Sequence, residues 1–159
     1  MVRIGMGLYG YWPSKELRKV EKNLTINLQP VLTWKSIISE VKKIPKQSRI
    51  GYDGTERVAR DTVMAVVPIG YWHGYDRGFS NIGEMLVCGK RAKVLGRISM
   101  DMTVRCVTGI SGVCGGDEVV LIGSKGKERI HADELAGKIA TTAYELLTRI
   151  NPLIARKAL

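Results

Sequence analysis

The sequence predicts a mainly β fold, a compact antiparallel β domain closed by short C-terminal helices. Three observations carry that expectation. Short apolar or alternating runs recur between glycine turns from Leu28 to Gly123, helical spacing is confined to the end of the chain, and the first ten residues differ in composition from the remainder. A chain of 159 residues fits one domain and can bury a core without disulfide or metal. With 45% hydrophobic and 25% charged residues, disorder is excluded as the governing state.

Val2 to Gly10 reads as a short buried strand running into a glycine-rich turn, and residues 11–27, polar and interrupted by Pro13, read as a linker. Val31 to Val41 mixes β-branched and polar residues with partial alternation and predicts one long strand. Thr62 to Tyr71 is a nearly continuous apolar run, as a strand buried on both sides requires. Residues 85–88 and 92–95 predict a hairpin turning at Gly89-Lys90. Asp101 to Val107 alternates, and Glu118 to Gly123 is a further strand stopped by a glycine. Ala132 to Ala136 places Asp133 and Glu134 in a first helical turn, where acids complement the helix dipole. A second helix spans roughly residues 141–150, with Tyr144, Leu147 and Ile150 at three-residue steps, and Asn151-Pro152 ends it.

Composition narrows the function classes. The 25 Lys and Arg outnumber the 15 Asp and Glu, leaving a net charge of +10. These cations are scattered in short groups such as Lys42-Lys43 and Lys90-Arg91, without the interleaved aromatics of a nucleic-acid motif, so no nucleic-acid partner is expected. No apolar run is long enough to span a bilayer, and Gly5, Gly7 and Gly10 break any signal-like segment. Three cysteines without C-x-x-C spacing read as reduced thiols of a cytoplasmic protein. His73 and His131 have no acid or cysteine at ligand spacing, so no metal site is expected. Nucleotide-binding and serine-hydrolase loops are missing. What stands out is a set of Gly-Tyr pairs, Gly51-Tyr52, Gly70-Tyr71 and Gly74-Tyr75, in a chain with six tyrosines and one phenylalanine.

Taken in order, VRIGMGLYG, IGYDGT, VPIGYWHGYDRGFSN, GRISMDMT, GDEVVLIG, ADELA and AYELLTRINP resemble the C-terminal part of the alanine racemase family across essentially the whole chain. The resemblance implies a pyridoxal-phosphate enzyme made of an N-terminal α/β barrel and a C-terminal β domain. Residues 1–10 would be the last strand and phosphate loop of that barrel, 11–27 a linker and 28–159 the β domain. The lysine that holds the cofactor would lie in the barrel, so these residues alone are expected to be inactive.

The family roles carry over position by position. Arg3 matches the arginine on the cofactor's pyridine nitrogen; a guanidinium keeps its proton and so donates to an unprotonated ring. Gly5 and Met6 match backbone amides at the phosphate, and Tyr144 a phosphate-binding hydroxyl. Tyr52 matches one of two catalytic bases, the one that takes the α-proton on the L face while the lysine serves the D face. A phenol titrates near about 10, so such a base needs positive charge or hydrogen bonding nearby. The family supplies this tyrosine from the partner subunit, which implies a homodimer. Tyr71 matches a gate tyrosine, Arg77 and Arg97 match cations of the substrate corridor, and Met100 matches a residue whose amide meets the substrate carboxylate. Two positions depart from the family pattern: Asp53 stands where glycine is usual, and His73 where aspartate is. The implied activity is interconversion of L- and D-alanine for cell-wall precursors. A racemase of serine, lysine or broad range and a non-catalytic dimerisation module are the alternatives.

Overall fold

The structure, a computed structural model, describes Met1, residues 3–14, Leu17 and residues 26–158, and divides into two compact units, Met1–Thr33 and Trp34–Leu159. In the first unit Arg3 to Gly5 form no strand; Met6–Tyr9 wind into a 3-10 turn ended by Gly10 at φ 77°. The expected opening strand is therefore not formed among the described residues, because a strand exists only by pairing and nothing described here pairs with it. Val2, and residues 15, 16 and 18–25 of the expected linker, lie outside the described residues. Gly10 is required twice over. Its φ is positive, and a Cβ there would sit 1.8 Å from the Gln29 carbonyl oxygen.

The second unit is a β domain with two short helices. Its strands are β1 (Trp34–Ile37), β2 (Glu40–Ile44), β3 (Arg49–Ile50), β4 (Glu56–Arg57), β5 (Thr62–Val67), β6 (Glu84–Val87), β7 (Lys90–Leu95), β8 (Thr103–Cys106), β9 (Glu118–Lys125) and β10 (Glu128–Ile130). The helices are α1 (Ala132–Lys138) and α2 (Ala143–Thr148). Eight strands form one antiparallel sheet in the order β1-β9-β6-β7-β8-β5-β2, with β10 added on β9; β3 and β4 make a separate hairpin. The two ends of that order are consecutive in the chain. Only Ile38 and Ser39 separate them, the Ile38 amide donating to Asp117 on the β9 side and the Ser39 amide to Val66 of β5. The single long strand expected over 31–41 is thus two strands. The chain changes partner at Ile38, which is 1% exposed and anchors the corner in the core.

β5 stops before Pro68, which has no amide to give the ladder. The β6–β7 hairpin turns at Cys88-Gly89, one residue earlier than expected, with both φ values positive (48° and 71°). That is the two-residue turn whose twist suits a hairpin, and it favours Asn-Gly; a cysteine in the left-handed region costs on the order of 1 kcal/mol. α1 and α2 form where expected, α2 capped by the Thr142 hydroxyl accepting from the Glu145 amide at 3.4 Å.

The core is apolar apart from Thr62 of β5 and Thr103 and Arg105 of β8. Val119 to Ile122, Leu86, Val87 and Val94 are fully buried, and so is Arg105. Among the described residues none of the three Arg105 guanidinium nitrogens has a hydrogen-bond partner, and its head lies 5.0 Å from the centre of the Tyr75 ring. Burial pushes the Arg105 guanidinium below its ordinary pKa, opposed by Tyr75.

Candidate functional site

The site begins with the β3–β4 hairpin. Ile50 and Val58, at its two ends, are buried against Leu95 of β7, and Ile44 and Met64 pack around them. Burial of two such side chains contributes about 3–6 kcal/mol, enough to fix a hairpin of two-residue strands. The connection between β3 and β4 is the turn Tyr52–Gly54. Gly51, at φ 75°, crosses the Gly96-Arg97 segment so closely that a Cβ would meet the Arg97 amide nitrogen at 2.9 Å. The tight crossing anchors the turn, while Tyr52 itself stands 63% exposed. Asp53 takes φ 60°, the conformation that makes glycine usual there, and its carboxylate forms an ion pair with the Arg97 guanidinium. Asp is one of the few side chains that tolerate this region. The departure at residue 53 therefore adds a tie from the Tyr52 turn to Arg97, and it engages a cation expected in a substrate corridor.

A second turn faces the same space. Tyr71–His73 is a 3-10 turn flanked by Gly70 and Gly74. The Tyr71 amide donates to the Ser99 carbonyl at 3.0 Å and the Trp72 amide to that of Met100 at 3.1 Å. A Cβ on Gly70 would fall 2.2 Å from both acceptor oxygens, so only glycine permits this approach. The pairing sets Tyr71 beside Met100, both half-exposed at 46% and 49%. His73 caps its own turn, accepting the Gly70 N–H on Nδ1 at 3.1 Å, with its ring edge-on to Trp72. At residue 73, where aspartate is usual in the resemblance, the imidazole caps the turn.

Asp76 and Arg77 come next along the chain. Asp76 accepts from the Gly78 amide at 2.7 Å and receives Arg149 at 3.0 Å, and Arg149 also holds Glu145 of α2 at 2.5 Å. Ser80 and Asn81 accept from the Ile98 and Gly96 amides at 3.2 and 2.6 Å, which locks this loop to the segment carrying Arg97.

Tyr52, Tyr71, Gly74, Asp76, Arg77, Ile98 and Arg149 together line a cleft of about 650 Å³. Arg149 pairs with Asp76, while Arg77 has no ion pair among the described residues, so the lining presents the Arg77 charge together with two phenols. That suits a small anionic molecule such as a carboxylate. Sequence reasoning named Tyr52, Tyr71 and Arg77 but missed Asp76, Ile98 and Arg149. Arg149 lies within AYELLTRINP, yet its arrival in the cleft depends on α2 docking against the Asp76 loop, which no local pattern reports. Arg97 and Met100 flank the cleft through Asp53 and Tyr71 rather than lining it. Tyr144 is the second residue of α2, 44% exposed, and does not line it.

Arg3, Gly5 and Met6 belong to the first unit. Its turn uses the amides of Leu8, Gly10 and Tyr11, which donate to the carbonyls of Gly5, Gly7 and Met6. Among the described residues no three metal-ligating groups are set to hold an ion, and no helix is long and apolar enough to cross a membrane.

A family model described as alanine racemase, C-terminal domain, matches residues 31–158. The chain belongs to that family. Its relatives include an alanine racemase of Leptospira interrogans, 47% identical over 98% of this chain and 41% of the relative, and one of Halothermothrix orenii, 41% identical over 99% and 40%. Among solved structures, alanine racemase from Bacillus anthracis with bound L-Ala-P superposes with a TM-score of 0.86 at 36% identity, covering 94% of this chain and 37% of that one. Alanine racemase from E. faecalis superposes at 0.86 with 30% identity, covering 95% of this chain and 39% of that one. The chain spans about two-fifths of the length of the curated relatives it matches. The antiparallel sheet with two short helices is the alanine racemase C-terminal fold.

Proposed function

We propose that these residues are the C-terminal part of a pyridoxal-phosphate-dependent racemase that interconverts L- and D-alanine for peptidoglycan precursors. The enzyme works as a cytoplasmic homodimer with an N-terminal barrel carrying the cofactor lysine. The observation that carries the reading is the convergence of Tyr52, Tyr71 and Arg77 on one positively charged cleft in a domain whose relatives are alanine racemases.

The donor set of this chain suits the cofactor. Arg3 would supply a permanently protonated donor to the ring nitrogen and the Gly5 and Met6 amides would serve the phosphate; in the second unit the exposed Tyr144 hydroxyl is a further neutral donor. When bound, the cofactor draws electrons from the substrate's α-carbon and so acidifies its proton. Tyr52 takes that proton on the L face through its phenol oxygen and returns it there in the reverse direction. Arg77 draws the substrate carboxylate inward, the Met100 amide orients it, and Tyr71 narrows the approach. The Asp53–Arg97 pair holds the Tyr52 turn in place. Tyr52 and Met100 serve the partner subunit's centre, so the dimer completes both sites.

Joining residues 1–159 to the N-terminal part of the Leptospira interrogans enzyme tests this. The chimera is expected to racemise alanine with added pyridoxal phosphate, and Tyr52→Phe to lower the rate by about 10²–10⁴. The 159 residues alone are expected to give no D-alanine. Preference for serine or lysine would reassign the substrate, and full activity in Tyr52→Phe would remove the proposed base.

A further inference from the structure

Away from the cleft, two of the three thiols share one carboxylate. Cys88 Sγ donates to one Asp117 oxygen at 3.7 Å and Cys114 Sγ to the other at 3.4 Å, and the Cys114 amide also donates to Asp117 at 2.9 Å. Both cysteines are exposed. Cys88 occupies a hairpin position at φ 48° where asparagine or glycine fits better, so the fold tolerates backbone strain to keep a thiol there. Cys114 opens the turn Cys114-Gly115-Gly116-Asp117, closed by the Asp117 amide on the Cys114 carbonyl at 3.3 Å. Gly112 and Gly116 in this loop have open space where a Cβ would stand, and the Gly116 amide holds the loop to the Ile38 carbonyl at 2.8 Å.

We propose that Cys88 and Cys114 are a peroxide-oxidisable pair that closes reversibly to an intramolecular disulfide, tying the β6–β7 turn to the loop before β9. Hydrogen peroxide is the oxidant. One thiol loses its proton and attacks a peroxide oxygen; the S–O bond forms, the O–O bond breaks, and the released hydroxide takes a proton to leave as water. The second thiol then attacks that sulfur, the S–S bond forms, the S–O bond breaks, and a second water leaves with its proton. Two thiols and one peroxide become one disulfide and two waters. In the resting state both thiols donate to Asp117, and partial loss of hydration together with the Asp117 charge holds the exposed Cys88 above its ordinary pKa, while the hydrogen bond to Asp117 does so for Cys114. The pair is therefore protonated and quiet at neutral pH and reacts faster as pH rises. Cys106, half-buried in β8 and apart from this cluster, is an internal control.

The 159-residue chain, reduced and then treated with hydrogen peroxide, is expected to lose two hydrogen atoms in mass and to fall from three titratable thiols to one. Peptide mapping should join Cys88 to Cys114, and dithiothreitol should restore all three thiols. Cys114→Ser should leave Cys88 as a sulfenic acid that dimedone traps, with no intramolecular link. Addition of oxygen at either cysteine of the unsubstituted chain without the 88–114 link, or a link that includes Cys106, would overturn the proposal.

Discussion

Arg105 is the residue whose placement is hardest on the fold. A fully buried guanidinium with no hydrogen-bond partner among the described residues gives up its hydration for contact with the Tyr75 ring. Arg105→Met keeps the volume and removes the charge, and is expected to raise stability by about 1–4 kcal/mol in urea unfolding of the second unit. A loss of stability would mean that the guanidinium is satisfied within the core. Gly70 is the opposite case, a residue with no freedom to change. A methyl group there meets two carbonyl oxygens at 2.2 Å, so Gly70→Ala should cost about 1–3 kcal/mol and displace Tyr71 and Met100 together. Near-native stability with unaltered cleft binding in that variant would contradict the close approach. Asp53 was visible in the sequence only as a departure from a pattern; its φ of 60° and its pair with Arg97 explain how a non-glycine fits.

At the scale of elements, a charge cluster joins the β6–β7 hairpin to β10 and α1. Arg91 of β7 reaches Glu84 at 3.1 Å, Glu128 at 3.1 Å and Glu134 at 2.5 Å, and Lys138 of α1 reaches Glu84 at 2.6 Å. Burial pushes Glu84 up, but hydrogen bonds and charge from Lys138 and Arg91 more than offset it and hold the carboxyl below its ordinary value of 4.5. Glu118, held by Lys125 and Lys35, is lowered likewise. A depressed carboxylate binds fewer protons folded than unfolded, so its stabilisation is present above about pH 4.5 and lost as pH falls through the folded value. Thermal unfolding followed from pH 7 to pH 3 should fall most steeply below that point, and Glu84→Gln should flatten the fall. An unchanged acid limb in Glu84→Gln would remove Glu84 from the account.

The same scale shows why some elements were legible and others were not. β5, β6 to β9 and both helices arise from runs whose period or capping is local, such as Thr62 to Val67 or Asp133 and Glu134. The corner at Ile38 was not legible, because the apolar pattern continues through it and only the change of partner from β9 to β5 divides the strand. β3 and β4, two residues each, are too short to show a period, and they exist because Ile50 and Val58 are buried on Leu95. In the cleft, Tyr52, Tyr71 and Arg77 lie in motifs that can be read directly. Arg149 reaches it only through tertiary docking of α2 on the Asp76 loop.

For the molecule as a whole, the second unit builds a rigid cleft and places on it a phenol that the sheet does not need for packing. Tyr52 is 63% exposed on a turn whose anchoring residues are buried. Exposure of this kind costs nothing in stability, so Tyr52→Phe should leave the unfolding transition within about 0.5 kcal/mol of the parent. A larger loss would make Tyr52 structural. The central claim is that its oxygen moves the α-proton on one face only. The most direct measurement is α-proton exchange in deuterated water by the Tyr52→Phe chimera, with L- and D-alanine followed separately by mass spectrometry. Loss of exchange from L-alanine with D-alanine exchange retained, and no interconversion, is the predicted result. Equal loss from both enantiomers, or exchange from L-alanine at the parent rate, would contradict it.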